Sequence, residues 1–194
     1  MKEFDIYVAT EKDLEYLDDV EKAIYSASQV KGTGIAVRSR EYLTHKIREG
    51  KSVIAVSREG RWAGFCYIES WGHNKFVANS GLVVNPDFRG QGLAGQIKAK
   101  ALDLSAQLFP EARLFGLTTS LAVMKINSSL GYHPVTFSEL TDDDEFWKGC
   151  QSCPYYDILV RTRRSHCLCT AMLKESPAES KGKQKPKDDE GKAA

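Results

Sequence analysis

The hydrophobic period of this chain changes across a stretch of twelve residues, NPDFRGQGLAGQ, from Asn85 to Gln96. Before it, KFVANSGLVV reads as an extended run that closes at Asn85-Pro86. After it, Leu93, Ile97, Ala101, Leu104 and Leu108 recur every three or four positions. Proline has no N–H with which to continue a central strand, and the later spacing makes one apolar face of a helix that stops before Pro110. A strand must therefore pass into a helix through a segment crowded with glycine. Glycine costs about 1 kcal/mol relative to alanine inside a helix, so a cluster at a helix start marks backbone that meets something directly. The unpaired amides of a first turn and the helix dipole favour an anion there, and missing side chains let it approach. The segment lacks the G-K-[ST] ending of a P-loop, and its spacing is not G-x-G-x-x-G. A turn used only for chain reversal is the alternative.

Elsewhere strands and helices alternate. Phe4 to Ala9 reads as a strand, and Thr10 with Asp13 forms a capping-box signal before a helix carrying Leu14, Leu17, Val20, Ile24 and Ala27 on one face. A second short helix carries Tyr42, Leu43 and Ile47, after the basic, glycine-rich loop KGTGIAVRSR. SVIAVS and WAGFCYIES flank a turn at Arg58-Glu59-Gly60 and should pair antiparallel. Downstream, RLFGLTT predicts a strand, SLAVMKINSSLG a helix ended by Gly131, YHPVTFS a strand, TDDDE a solvated loop and YYDILVR a last strand. From Lys174 onward large apolar residues cease, which predicts a disordered tail.

At 194 residues, 42% hydrophobic and 27% charged, the chain suits one soluble domain with a sizeable core. A formal net charge of +1 with interspersed signs gives no field to attract nucleic acid or an anionic membrane. MKEFDIYVATEKD has no apolar leader, and no run approaches the roughly 20 apolar residues that span a bilayer, so a cytoplasmic location is expected.

Arg89-Gly90-Gln91-Gly92-Leu93-Ala94 resembles the [Q/R]-x-x-G-x-[G/A] motif of the GNAT N-acyltransferase superfamily, as found in bacterial members. GLVVNPDF resembles that family's central strand with its closing proline, and INSSLGYHPV its Leu-Gly-aromatic turn into the next strand. The likeness runs from about Phe4 to Ser138. It implies an α/β fold: a central mixed, mostly antiparallel twisted sheet, splayed in the middle and flanked by helices. It also implies acyl-CoA, acetyl-CoA foremost, as co-substrate. The domain would span residues 1–140, with a C-terminal extension at 141–173 packed on it and the tail at 174–194.

The resemblance further implies amine attack on a thioester. Residues Arg89, Gly90, Gln91, Gly92, Leu93 and Ala94 would hold the pyrophosphate, and backbone at Leu82, Val83 and Val84 would pair with the pantetheine arm. The N–H of Val84 would stabilise the oxyanion of a tetrahedral intermediate. The attacking amine needs a base, for which Glu69 is the first candidate and His73 the second. Family members often carry a tyrosine acid at the position of Asn127; asparagine cannot act as an acid, so Asn127 is left as a hydrogen-bond donor to the thiolate or a cofactor contact. Ser120 reads as a helix cap. Tyr67 shares a strand face with Glu69 and would line the acceptor cleft. Lys31, Arg38 and Arg40 in the basic loop suit an acceptor bearing a carboxylate, such as an amino acid, or else form a solvated surface.

Five cysteines without a secretory leader favour thiols or metal over disulfides. Cys150-x-x-Cys153 and Cys167-x-Cys169 flank YYDILVR, and a strand between two paired turns would bring four thiolates around one structural zinc, with His166 as a substitute ligand. Plain buried thiols and redox or iron-sulfur use are the alternatives. Cys66, within an apolar strand, reads as core. The leading expectation is an N-acetyltransferase acting on a primary amine of a small molecule, with a homodimer left open. A non-catalytic CoA-binding module and a zinc-stabilised interaction protein are the competing readings.

Overall fold

The computed structural model describes residues 3–30, 35–153 and 155–182. Among them, seven strands form one sheet in the order β1-β2-β3-β4-β5-β7-β6. These are β1 (Phe4–Val8), β2 (Ser52–Ser57), β3 (Trp62–Trp71), β4 (Phe76–Val84), β5 (Arg113–Thr118), β6 (His133–Val135) and β7 (Thr170–Lys174). Every neighbouring pair is antiparallel except β4 with β5. This is the mixed, mostly antiparallel sheet that the sequence predicts.

Helices cover both faces. α1 (Leu17–Ser28) and α2 (Arg40–Arg48) lie on one side, where Leu17, Val20, Ile24, Leu43 and Ile47 bury against Ile54, Phe65 and Tyr67. α3 (Leu93–Leu108) lies on the other, packing Leu93, Ile97, Ala101 and Leu104 on Val53, Ala55, Cys66 and Val77. Strands enclosed on both faces must be apolar throughout, which is why SVIAVS shows no polar alternation. The capping box at Thr10 and Asp13 forms as expected, and Asp13 also accepts the Tyr7 hydroxyl at 2.7 Å.

The C-terminal part departs from expectation. YYDILVR is helical: α6 (Tyr156–Arg161) turns Leu159 inward, leaves Val160 exposed and links Asp157 to Arg161 at 2.9 Å, a one-turn spacing that β-branched composition concealed. The last strand is instead β7, TAMLK, and it lies between β5 and β6. The segment 141–173 thus contributes a strand to the sheet. α4 (Leu121–Ser129) and α5 (Asp144–Lys148) precede it, and in the TDDDE turn Asp143 caps α5 and accepts the Gly72 N–H at 2.9 Å. Of the expected tail, Lys174 ends β7 and Pro177–Gly182 forms α7; residues 183–194 lie outside the described residues.

Candidate active site

β4 and β5 lie side by side only from the pair Phe76–Arg113 to the pair Ala78–Phe115. Beyond Ala78 they part, and residues 79–82 face residues 116–118 across a cleft of about 220 Å³. A β-bulge shapes the β4 wall: the β3–β4 register slips between Phe65 and Tyr67, and Gly81 takes a φ of +63°. A side chain at Gly81 would also lie 2.4 Å from the Tyr67 ring, so glycine is required there twice over. Near the end of β4, the Asn85 N–H donates to Ala63 O at 2.9 Å. Antiparallel bonding alternates, so the Val84 N–H points the other way, toward the open gap. The Val84 carbonyl, on that same side, accepts from Arg89 Nε at 3.2 Å.

The gap leads to the glycine turn. Gly90 and Gly92 sit at φ +79° and +72°, a region that side chains strain to enter, while a Cβ at either would meet nothing within 4 Å. Glycine is therefore needed for the backbone path, and space stands open above it. Gly92 caps α3 without any side-chain cap, which leaves first-turn amides for an outside partner. A second cavity of about 500 Å³ lies beside this turn, lined by Val84, Arg89, Ala94 and Ile126, and it adjoins the cleft at Ile35, Leu82 and Val123. Gly95 lies in the first turn of α3, and an added Cβ there also meets nothing within 4 Å, so the helix does not need glycine at that place to pack on the sheet.

The opposite wall is a polar network. Glu69 accepts the Tyr42 hydroxyl and pairs with Lys46 Nζ at 2.6 Å, so it is a partnered, half-buried carboxylate. Arg38 Nε donates to the Tyr67 hydroxyl at 2.8 Å, and its guanidinium lies 5.2 Å from the centre of the Tyr42 ring. Among the described residues the terminal nitrogens of Arg38 make no hydrogen bond, although the group lines the cleft. Burial pushes the Tyr67 and Tyr42 hydroxyls up, so both stay protonated, Tyr67 accepting from Arg38 and Tyr42 donating to Glu69. Arg38, Tyr67 and Glu69 thus line one cleft, with Tyr67 and Glu69 two residues apart on the same face of β3.

Other candidates lie elsewhere. Arg40 is exposed and its guanidinium is taken by Asp18 at 2.6 Å and Glu21, tying α2 to α1 outside the cleft. Lys31 falls outside the described residues. His73 sits exposed in the β3–β4 turn. The Val83 side chain enters the α1–α2 core, so only its backbone belongs to the cleft wall. Gln91 is exposed within the turn and Leu93 anchors α3 in the core. Ser120 caps α4, accepting the Val123 N–H at 3.4 Å. Asn127 is 1% exposed behind Gly116; its amide nitrogen points to Met172 Sδ at 3.6 Å and its Oδ1 has no partner.

The expected zinc site does not form. Cys150, Cys153, Cys167 and Cys169 do converge, but around a small cavity of about 70 Å³ shared with Ile35, Leu117, Phe137 and Leu159. Among the described residues no group of three or more His, Cys, Asp or Glu side chains is placed to hold a metal ion. The strand meant to align the two pairs is the helix α6, and apolar surroundings favour neutral thiols: burial pushes Cys150 up to about 11 and Cys169 to about 12. His166 is exposed. Cys66 is core, as expected.

The model of the acetyltransferase (GNAT) family matches residues 19–124, more than half of the chain. The chain belongs to that family. Among solved structures, it is similar to N-acetylglutamate synthase from Neisseria gonorrhoeae complexed with coenzyme A and N-acetyl-glutamate, with a TM-score of 0.63 and 16% identity. That match covers 91% of this chain but 36% of the synthase, so the chain spans about a third of that enzyme's length. A Mycobacterium tuberculosis protein in complex with CoA matches with a TM-score of 0.63 and 14% identity, over 88% of this chain and 98% of its own. A phosphinothricin acetyltransferase from Sinorhizobium meliloti in complex with AcCoA matches at 0.59 and 12%, over 90% and 89%. Identities this low speak for the shared GNAT fold. No match is found among curated proteins. Among the described residues, no helix is long and apolar enough to cross a membrane.

Sequence reasoning missed Tyr42 as a site residue and missed Lys46 altogether. Tyr42 and Lys46 are four apart on α2 and so share one face, but only the position of β3 shows that this face meets Glu69.

Proposed function

We propose that this GNAT protein transfers an acetyl or related acyl group from acyl-CoA to a primary amine of a small molecule, with an amino acid as the acceptor class. One observation carries the reading: β4 parts from β5 beyond Ala78, next to a helix start built on two left-handed glycines, and strand alternation would turn the Val84 N–H to the open side. The residues present fit CoA. Amides of residues 90–94 would take the pyrophosphate, and the edge at residues 82–84 would pair with the amide-bearing arm. Bound acyl-CoA supplies a thioester whose thiol, with a pKa near 8.5, leaves readily.

The chain's own residues then divide the work. The Val84 N–H would face the carbonyl oxygen as charge develops on it. Glu69 would take a proton from the amine, directly or through water, while Tyr42 and Lys46 hold its carboxylate in place. Arg38, fixed by Tyr67, would receive the acceptor's carboxylate through its terminal nitrogens. We place the reaction in the cytoplasm.

Release of free thiol from acetyl-CoA, measured against a panel of L-amino acids and polyamines, tests the reading. Turnover with a carboxylate-bearing amine is expected. Tight CoA binding with no turnover would leave the non-catalytic reading, which the engagement of Glu69 Oε2 by both Tyr42 and Lys46 and the absence of an acid at Asn127 favour.

A further inference from the structure

The proposed reaction leaves Lys98 without a task. Lys98 is 2% exposed on the sheet side of α3, yet it lines the same cleft as Glu69, Arg38 and Tyr67. Its Nζ donates to the carbonyl of Asn79 at 3.3 Å, and Asn79 is the first β4 residue beyond the ladder with β5. Lys98 therefore stands where the two strands part. A chain lying along the open edge of β4, with its phosphates at Gly92, directs its reacting end toward this point; to that extent the inference rests on the acyl-CoA reading.

The surroundings of Lys98 are fixed but uncharged. The Tyr132 ring lies 5.5 Å from Nζ, the Tyr132 hydroxyl donates to Asn79 Oδ1 at 2.9 Å, and Asn79 Nδ2 donates to Ser105 Oγ at 2.9 Å. An ammonium has three donors, and one is used by Asn79. Among the described residues no carboxylate lies within ion-pair distance of Lys98. Glu69 across the cleft is committed to Lys46, and the Cys66 thiol from β3 is held neutral, raised to about 11 by burial. A buried ammonium without a counter-charge costs several kcal/mol, and desolvation accordingly pushes the Lys98 amine down. Lys46, equally buried, has Glu69 at 2.6 Å.

We propose that Lys98 receives a carboxylate of the reactants at the narrow end of the cleft. That carboxylate is either the distal one of a dicarboxylic acyl group on the thioester or the side-chain carboxylate of an acidic amino-acid acceptor. With Arg38 on the opposite wall, the cleft then holds two cationic points for two anionic groups, and an uncharged acyl group paired with a neutral acceptor leaves one of them unmet.

Calorimetric titration of the full chain separates the two sources. One arm compares succinyl-CoA with acetyl-CoA; the other, at saturating CoA, compares L-glutamate with L-glutamine. A preference of tenfold or more for the carboxylate-bearing ligand is expected in one arm, and Lys98→Met should reduce it to less than threefold while Lys98→Arg retains part of it. Affinity for CoA itself, within threefold of the parent protein, shows that Lys98→Met is folded. Absence of discrimination in both arms, or discrimination that survives Lys98→Met, overturns the proposal. Failure of the parent protein to bind CoA at all instead overturns the acyl-CoA reading on which it rests.

Discussion

Lys46 Nζ and Glu69 Oε2 lie 2.6 Å apart, the lysine almost wholly buried with its Nζ 5.1 Å from the centre of the Tyr42 ring and the carboxylate at that ring's hydroxyl. Such a pair fixes a carboxylate in position, and Lys46→Met leaves Glu69 half-buried with Tyr42 and the open cleft as its remaining company, so it should lower stability by about 1–3 kcal/mol, read from urea unfolding. Glu69→Gln keeps the shape and a hydrogen bond to Tyr42 but loses the base and the counter-charge of Lys46, so its rate is compared with that of Lys46→Met/Glu69→Gln under conditions where both are folded. Its thiol-release rate should fall by about 10²–10⁴-fold with little change in CoA affinity, and a rate within threefold of the parent removes Glu69 from the mechanism.

The glycines of the turn and of the helix that follows separate by experiment. Gly92→Val forces a β-branched residue to φ +72° at the open helix start, and CoA affinity should drop at least tenfold with the fold retained. Gly95→Ala, inside α3 with free space around it, should gain about 0.5–1 kcal/mol and leave CoA affinity unchanged. Equal CoA affinity in both variants and the parent would detach the turn from ligand binding.

Arg38→Met should raise KM for a carboxylate-bearing acceptor tenfold or more and leave KM for an uncharged amine near its parent value. A uniform rise for both acceptors would make the residue a support for Tyr67 and Tyr42 only.

The thiols set a pH limit. Cys66, Cys150 and Cys169 are raised from 9.0 to about 11, 11 and 12, chiefly by burial. Below pH 9 they are neutral folded and unfolded alike. Above it the unfolded chain releases protons that the folded chain keeps, so stability falls as pH climbs from 9 through 11–12. Thermal midpoints at pH 8 and pH 10 should differ, and the difference should shrink in Cys150→Ala/Cys169→Ala. No change in that difference would mean that these thiols titrate normally.

The strand-to-helix passage was legible because proline, glycine and a change of period all mark the same twelve residues, from Asn85 to Gln96. The core positions of α1, α2 and β2 were legible for the same reason, since each repeats a single period. Tertiary placement was not. Lys98 flanks the apolar stripe of α3 and looks like a solvated lysine until β4 is laid over it, and Arg40 looks like a ligand-binding residue until Asp18 and Glu21 take it up. β7 escaped notice because its residues are buried on alternate sides in two different clusters, Ala171 and Leu173 in one and Met172 in the other, so TAMLK carries no polar alternation.

The position of β7 also bears on how the molecule is made. β5 and β6 both take β7 as a neighbour, and among the described residues β7 is the last strand in chain order. Until residues 170–174 leave the ribosome, β6 has no partner and one edge of β5 stays bare, an invitation to pairing with other chains. The cleft wall at residues 116–118 belongs to that same strand, so a nascent or truncated chain ending near residue 140 should be aggregation-prone and unable to hold its cleft open.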